Sequence, residues 1–472
     1  MKIAFIHYHL KQGGVTTVLK HQVEALRDAC EVLVLTGEPP TSCFPADTVH
    51  VPGLGYYNGT GSREIYDPEK VADAVKKAIM QKFKGECDIL HVHNPILAKN
   101  RNFLKILYFL RKSGIRLFLQ IHDFAEDGRP LSFFAGSEYP HDSHYGVINS
   151  RDYKILLRSG LIEKGLHYLP NTVIPLNCNG ENTGPRKNIL YPVRGIRRKN
   201  IGEAILLSLF FKNNGALSIT LPPNSQSDLD SFMGWKKFVS SNGLKVNFDV
   251  GLENDFKKIV SASKFLITTS ITEGFGFTFL EPWTANKCLW GRRLDGICDG
   301  FEKNGVNLDH LYSNILVPLK WIEMDTFYKR WKECWIKNCT IFEFEEGQKN
   351  TEQVFNEIII DDYIDFGLLD EQFQKKVILK VISEGKKADE IIAKNPHILP
   401  PAELSDKKEL IKKNMVAVEK KYNQTIYKKR LLETYLKIVE NPVTQSIDKK
   451  ILASNFLNPK QFSLLKWCDY VE

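Results

Sequence analysis

The chain has 472 residues, of which 43% are hydrophobic and 25% charged, and a net charge of +8. That length predicts two or three domains, and the balance excludes a disordered chain, a collagen and a coiled-coil rod. The positive excess gathers over residues 385–431, where twelve Lys and Arg stand against six Asp and Glu without aromatic interleaving; it reads as solvated helix faces, not a nucleic-acid groove.

The opening MKIAFIHYHL is a short apolar burst with no small-residue cleavage site, so it is read as a buried first strand and not a signal peptide. No later apolar run approaches the ~18–20 residues of a membrane-spanning helix. Strand-like segments follow at Glu31–Thr36, Asp88–Val92 and Ile115–Ile121, with shorter ones at Tyr145–Ile148 and His167–Leu169. Helical patterns lie between them at Val15–Ala29, Pro68–Phe83, Asn102–Lys112 and Ser150–Leu161. This alternation predicts a parallel sheet covered on both faces. A polar boundary, Asn177–Lys187, precedes a second round of alternation. Its strands are expected at Asn188–Pro192, Leu217–Leu221, Lys245–Val250 and Phe265–Thr269, and its helices at Asn200–Lys212, Gln226–Ser241, Asn254–Ala262 and Thr278–Asn286. After about Leu294 the pattern turns helical, and Leu431, Tyr435, Ile438 and Val439 form an apolar stripe stopped by Pro442. The fold class expected from this alternation is α/β, with two doubly wound, Rossmann-like units in tandem and a helical C-terminal extension; the resemblance given below implies that they face a cleft.

Nine cysteines are scattered as Cys30, Cys43, Cys87, Cys178, Cys288, Cys298, Cys334, Cys339 and Cys468, with no C-x-x-C pair. The expectation is reduced thiols in a cytoplasmic protein and no metal site.

The strongest chemical signal is TSITEGFGFTFLEPWTANK, Thr269–Lys287, in which Glu273 and Glu281 flank Gly274 and Gly276. A strand, a glycine turn and a helix start in succession let the backbone approach a ligand. The open N–H groups near Phe277 and Thr278 favour an anion, while the two carboxylates accept from hydroxyls. That combination suits a sugar nucleotide. A second signal, YPVRGIRRKN, places Arg194, Arg197, Arg198 and Lys199 after a strand, where open α/β sheets bind ligands and cations can neutralise a pyrophosphate. A third, QGGVTTVL, opens the first helix with Gly13 and Gly14; it is not G-x-G-x-x-G, which opposes a nicotinamide or flavin site. His122 and Asp123 end an apolar strand in IHDF, while His91 and His93 share one strand face and read as structural.

Taken together these motifs resemble the retaining, two-domain GT-B glycosyltransferases of family 4 type, which include sucrose-phosphate synthase. The resemblance runs in register from Met1 to about Trp290: GGV, HD, LPN, the Arg194–Lys199 pair and EGFGFTFLE, in that order. It implies an acceptor-side domain over residues 1–178, a nucleotide-sugar-binding domain with a helical insertion over 179–425, and helices over 426–472 that pack back on the first domain. It implies transfer of a hexose from a UDP-, GDP- or ADP-sugar to a small soluble acceptor such as a sugar, a sugar phosphate or a glycerate-type compound. No cofactor or metal is required. Glu273, His122, Arg194 and Lys199 are the implied catalytic groups. Gly13, Gly14, Gly274, Phe275, Gly276, Phe277, Thr278 and Glu281 complete the donor site, with Glu281 on the ribose. Asp123, Arg129 and Lys99 are assigned to the acceptor. Arg197 and Arg198 are expected to face solvent or acceptor.

The sequence departs from the family at ANKCLWGRRLDGICDGF, with Trp290, Arg292 and Arg293, and over Glu343–Lys387. The alternatives carried alongside are a nucleotide-sugar epimerase or phosphorylase of the same fold, and a lipid-acceptor enzyme at a membrane surface. Contact with an anionic membrane is left open but not favoured, and no nucleic-acid partner is expected.

Overall fold

Residues 1–40, 43–57, 66–178, 188–211, 215–400 and 407–471 are described in a computed structural model of the chain. Most of the expected boundary, from residue 179 to 187, and Lys212 of an expected helix lie outside them. The chain divides into two units: Met1–Thr172 with Ile341–Phe344 and Tyr422–Phe456, and Val173–Thr340 with Glu345–Lys421 and Leu457–Glu472.

Unit 1 runs β1 (Lys2–His7), α1 (Gly14–Leu26), β2 (Glu31–Thr36), β3 (Asp47–His50), α2 (Pro68–Phe83), β4 (Ile89–His93), α3 (Phe103–Lys112), β5 (Leu117–Ile121), β6 (His144–Val147), α4 (Ser150–Arg158) and β7 (Leu166–Tyr168). The seven strands form one sheet in the order β3-β2-β1-β4-β5-β6-β7, with every pairing parallel. Helices cover both faces, which is why β4 and β5 are buried at every residue, the polar His91, His93 and Gln120 included. Local chemistry starts the helices: Asp67 caps α2 by accepting from the N–H groups of Glu69 and Lys70, with Pro68 as the first helical residue, and Asn149 caps α4.

Unit 2 runs β8 (Asn188–Arg194), α5 (Ile201–Ser208), β9 (Leu217–Leu221), α6 (Gln226–Ser241), β10 (Val246–Asn247), α7 (Phe256–Ala262), β11 (Ser263–Thr268), α8 (Glu281–Thr284) and β12 (Leu289–Gly291). Its five strands are again parallel, in the order β10-β9-β8-β11-β12. The helix expected over Thr278–Asn286 is only a 3-10 turn at Phe277–Phe279 followed by α8. Pro282 has no N–H to donate back into a helix begun at Thr278, so the two turns stay separate. The unit continues as α9 (Cys298–Glu302), β13 (Leu316–Pro318), α10 (Met324–Ile341), α11 (Thr351–Asn356), β14 (Ile359–Ile360), β15 (Tyr363–Asp365), α12 (Glu371–Ser383), α13 (Gly385–Lys394) and α14 (Lys408–Lys421). β13, β15 and β14 form a small antiparallel sheet.

The last helices divide between the units. In α15 (Gln424–Glu440), Tyr427, Leu431, Tyr435 and Ile438 share a core with Ile3, Phe5, Leu19 and Val23 of unit 1, and α16 (Lys449–Phe456) adds Leu452 and Phe456 to the core on the other face of the same sheet. α17 (Leu464–Trp467) belongs to unit 2, where Phe462 lies 4.9 Å from Trp335 and stacks on Trp467 at 5.2 Å. Beside this aromatic cluster Cys334 and Cys468 form a disulfide with Cα atoms 5.8 Å apart, which corrects the expectation that every thiol is reduced. A separation of 134 residues hides that pairing from any reading of spacing. Among the described residues no helix is long and apolar enough to cross a membrane.

Candidate functional site

In unit 2 the turn after β8 is stitched to the turn after β11. Ile271 N donates to Arg198 O (3.0 Å), Thr269 Oγ1 to Lys199 O (3.1 Å), and the buried Tyr191 hydroxyl to Lys199 O (2.6 Å). These bonds deliver the Lys199 side chain to Glu273, with Nζ 2.5 Å from Oε1. Both side chains are largely buried. Burial alone would raise the Glu273 carboxyl, but Lys199 and then Arg198 outweigh it and hold it below its ordinary value. Burial lowers the Lys199 ammonium, and Glu273 opposes that shift. The result is a buried ion pair at the carboxyl end of the parallel sheet, where such sheets take ligands.

The glycine turn continues from this pair. Gly276 has φ +90°, a backbone that L side chains rarely adopt, and a Cβ there would lie 2.9 Å from the Phe279 ring. Phe275 is anchored by Phe277 (4.9 Å) and Phe301 (5.6 Å). In the next turn Phe279 N donates to Gly276 O and Leu280 N to Phe277 O, so the N–H groups of Phe277 and Thr278 are spared from it; the buried Thr278 Oγ1 also lacks a partner. Four residues of α8 carry little macrodipole, so an anion here would be held by these individual donors. Glu281 opens α8 with a carboxyl that no group bonds among the described residues, and desolvation pushes it up to about 7.

The four cations part company. Arg194 donates to Pro222 O (2.9 Å) and Asn224 Oδ1 (2.6 Å) at the surface. Arg198 acts electrostatically on both Glu273 and Lys199, which places it with that pair. Arg197, expected to face solvent or acceptor, is instead engaged by its own chain. It is buried and makes a two-pronged ion pair with Glu371 (2.7 and 2.9 Å) and a bond to Cys468 O. The departure at Arg292 is structural too: buried, it bonds Glu203 (2.9 and 2.6 Å) and Asp365 (2.8 Å to each oxygen), while Tyr312 also donates to Glu203. Arg293 pairs with Asp295, Asp299 and Glu302. The partners of Arg197 and Arg292 lie so far along the chain that no local motif could have revealed them, whereas those of Arg293 lie within nine residues.

In unit 1 the ends of β1, β4 and β5 and the start of α1 enclose a cavity of about 190 Å³ lined by Gly13, Gly14, His7, Asp123, Arg129 and Lys99, among others. Asn94, at φ +50°, organises its floor: its Oδ1 accepts from His122 N (2.7 Å) and Asp123 N (3.1 Å). Arg129 pairs with Asp123 at 2.6 Å. Burial, then the nearby Arg129, lower the Lys99 ammonium. A side chain at Gly14 would meet nothing within 4 Å, and the buried His7 Nδ1 and Thr16 Oγ1 have no partner. His7 is the residue that the sequence reading missed; burial lowers its pKa to about 3, so it is neutral at physiological pH.

His122 is buried beside this cavity, and burial lowers its pKa to about 4. Its Nε2 lies 2.8 Å from His93 Nδ1, and the buried His93 Nε2 has no partner. An orphaned donor costs more than an orphaned acceptor. The proton therefore sits on His93 Nδ1 and is donated to His122 Nε2, leaving the His122 proton on Nδ1. His91 bonds Gln120 (2.8 Å) and Tyr435 (2.9 Å), in keeping with a structural role. Among the described residues no cluster of three His, Cys, Asp or Glu side chains could hold a metal ion.

No protein-family model matches the chain. It is 30% identical over 415 residues to the mannosylglucosyl-3-phosphoglycerate synthase of Petrotoga mobilis, a match covering 79% of this chain and 80% of that protein. Its fold is similar to that of a glycosyltransferase from Rickettsia africae (TM-score 0.55, 11% identity, 93% of this chain and 99% of that one). It is also similar to HepE of Anabaena in complex with UDP-glucose (0.53, 11%, 92% and 99%) and to the sucrose-phosphate synthase of Thermosynechococcus elongatus (0.52, 14%, 92% and 98%). Two doubly wound parallel sheets and this relationship define a glycosyltransferase of the GT-B class. Within that class the chain belongs to the family 4 type, together with the Petrotoga mobilis synthase.

Proposed function

We propose that the chain moves a hexose from a nucleotide-diphosphate sugar to a hydroxyl of a small anionic acceptor of the sugar-phosphate or phosphoglycerate class. The observation that carries this reading is the buried Lys199–Glu273 pair at the head of a glycine turn with open N–H groups and an unpartnered Glu281. Lys199, with Arg194 and Arg198, would stabilise charge on the departing diphosphate. Glu273 would contact the donor sugar and Glu281 the ribose hydroxyls. The binding of UDP-glucose by HepE supports a nucleotide-sugar donor. On the acceptor side, Lys99 and Arg129 supply cations within one cavity, and the relative's phosphoglycerate product supports an acid of that kind.

The reaction is read as retaining and metal-independent, as in the enzymes that this chain resembles. The bond from the anomeric carbon to the diphosphate oxygen breaks, and a bond to the acceptor oxygen forms on the same face. The acceptor proton passes to the leaving phosphate oxygen. His122, with its proton on Nδ1, offers a donor to the sugar, and its low basicity suits it poorly to accept the acceptor proton. The test is to incubate UDP-, GDP- and ADP-hexoses with 3-phosphoglycerate and sugar phosphates, then measure the anomeric coupling constant of the product by proton NMR. An α-donor should give an α-glycoside. A β-glycoside refutes retention, and no glycoside with any pair refutes the acceptor class.

A further inference from the structure

The disulfide joins Cys334 of α10 to Cys468, just beyond α17, and lies within unit 2. One contact links it to the turn that carries the ion pair: the Cys468 carbonyl accepts from Arg197 Nη1. Arg197 is the first residue of the single 3-10 turn Arg197–Lys199, which Asn200 N closes by donating to Arg197 O (2.9 Å). The disulfide therefore holds a residue two positions from Lys199, whose side chain pairs with Glu273. The other donors of Arg197 are committed: Nε and Nη2 go to Glu371, and its backbone N–H goes to Asp228 (2.8 Å). Taking the Cys468 carbonyl away leaves Nη1 of a buried guanidinium without its acceptor, which is costly.

Up to Trp467 the chain is well anchored, by the aromatic cluster and by Asn338, which donates to Trp467 O (3.2 Å). Cys468 N closes the last turn of α17 on Leu464 O (3.1 Å), but the Cys468 carbonyl lies beyond that bond. Past Cys468 the holds are weak. Asp469 pairs with Lys337 at 3.0 Å, yet both side chains are well exposed, where such a pair contributes little. The Asp469 carbonyl lies 3.4 Å from Arg330, and the Tyr470 ring centre lies 6.0 Å from the Arg197 guanidinium. The disulfide thus sits where the chain passes from a packed cluster to a weakly held end. Its two sulfurs differ in access, since Cys334 is buried and Cys468 is partly exposed.

We propose that the Cys334–Cys468 disulfide is a redox clasp on donor binding: closed, it keeps the Cys468 carbonyl on Arg197 and the Arg197–Lys199 turn set for a nucleotide diphosphate; opened by a dithiol, it frees the end of the chain and loosens that turn. This rests on the reading above that the turn belongs to the donor site. In opening, a thiolate of the dithiol attacks the accessible Cys468 Sγ, the S–S bond breaks, and Cys334 leaves as a thiolate that takes up a proton. The second thiol of the reductant, as its thiolate, then displaces Cys468 from the mixed disulfide. Two electrons pass to the protein, and the dithiol is oxidised to a cyclic disulfide.

The test is calorimetric titration of the full chain with UDP-, GDP- and ADP-hexoses, oxidised and then reduced with dithiothreitol, with peptide mass spectrometry to establish the state of the two cysteines. The oxidised chain should bind its nucleotide sugar about tenfold more tightly than the reduced chain, close to the worth of one hydrogen bond to a charged group. Cys468→Ser cannot form the bridge; it should bind as weakly as the reduced wild type and ignore the reductant, which excludes the seven free cysteines as the source. Equal affinity in the two states overturns the clasp even where reduction lowers the unfolding temperature, because a purely structural brace would do the latter alone. A Cys468→Ser variant that still responds to the reductant overturns it too, as do two cysteines that stay reduced under oxidising conditions. If no nucleotide sugar binds in either state, the donor reading fails and the clasp with it. Should Cys468→Ser not fold, the two states of the wild type decide.

Discussion

The Glu281 carboxyl is a built-in pH probe of donor binding. Its backbone is pinned, because Glu281 O accepts from Thr284 Oγ1 (2.8 Å), whose oxygen in turn accepts from Leu176 N (3.1 Å). Replacing the side chain should thus leave the turn in place. Desolvation puts the group at about 7, and only the ionised form can accept from two ribose hydroxyls at once. About a tenth of the population is then ionised at pH 6 and about nine tenths at pH 8, so donor affinity should rise roughly tenfold across that interval and level off above it. The assay is titration calorimetry from pH 6 to 8 with a nucleotide sugar, whose diphosphate is a diester and does not itself titrate there. Glu281→Gln should bind about 1.5–3 kcal/mol more weakly at pH 8, the worth of a hydrogen bond to a charged group, and its affinity should not vary with pH. A flat wild-type profile, or a Gln variant that still follows pH, would refute the assignment of Glu281 to the ribose.

Lys199→Ala should lower kcat by about 10²–10³ with a smaller effect on KM, as for other groups that stabilise a developing charge; steady-state kinetics that show only a KM change would count against it. Arg197→Ala should instead act on stability, costing about 3–5 kcal/mol in denaturant unfolding because it leaves Glu371 buried and unpaired; unchanged unfolding contradicts that account. Activity should persist in EDTA, and loss that magnesium or manganese restores would overturn the cation-only phosphate site. Glu126 is fully buried, and desolvation, opposed by the Tyr139 hydroxyl at 2.7 Å, raises its carboxyl from 4.5 to about 7. A raised folded pKa contributes stability that is present below about 4.5 and lost as pH rises through about 7. Glu126→Gln should therefore flatten the decline in stability between pH 5 and 8, and parallel wild-type and variant curves would exclude Glu126 as its source.

The parallel sheets were legible because their central strands are largely buried on both faces: β1, β4, β5 and β11 are rich in Ile, Leu, Phe and Val, although His91, His93 and Gln120 interrupt β4 and β5. β3, four residues reading DTVH with none fully buried, carries no such signal. Among the candidate residues, Glu273 and Lys199 stood out by motif, but their pairing across 74 positions did not. Arg197 read as facing solvent or acceptor because its partner lies 174 residues away. His7 sat inside a strand pattern and read as core. Short-range chemistry shows in a sequence, whereas contacts made by folding the chain back do not.

The return of α15 and α16 to the first sheet sets the order of events during synthesis. Unit 1 needs residues 422–456 to complete the cover of Ile3, Phe5 and Leu19 and to give His91 its bond with Tyr435. A ribosome will have made the whole β-strand complement of that sheet long before those helices emerge. At about 5–20 residues per second, the intervening stretch of roughly 250 residues leaves the part of that face covered by α15, beside α1, open for about 12–50 s. A fragment ending at Thr172 would stay in that unfinished state, and obtaining unit 1 alone requires joining it to 422–456 through a linker.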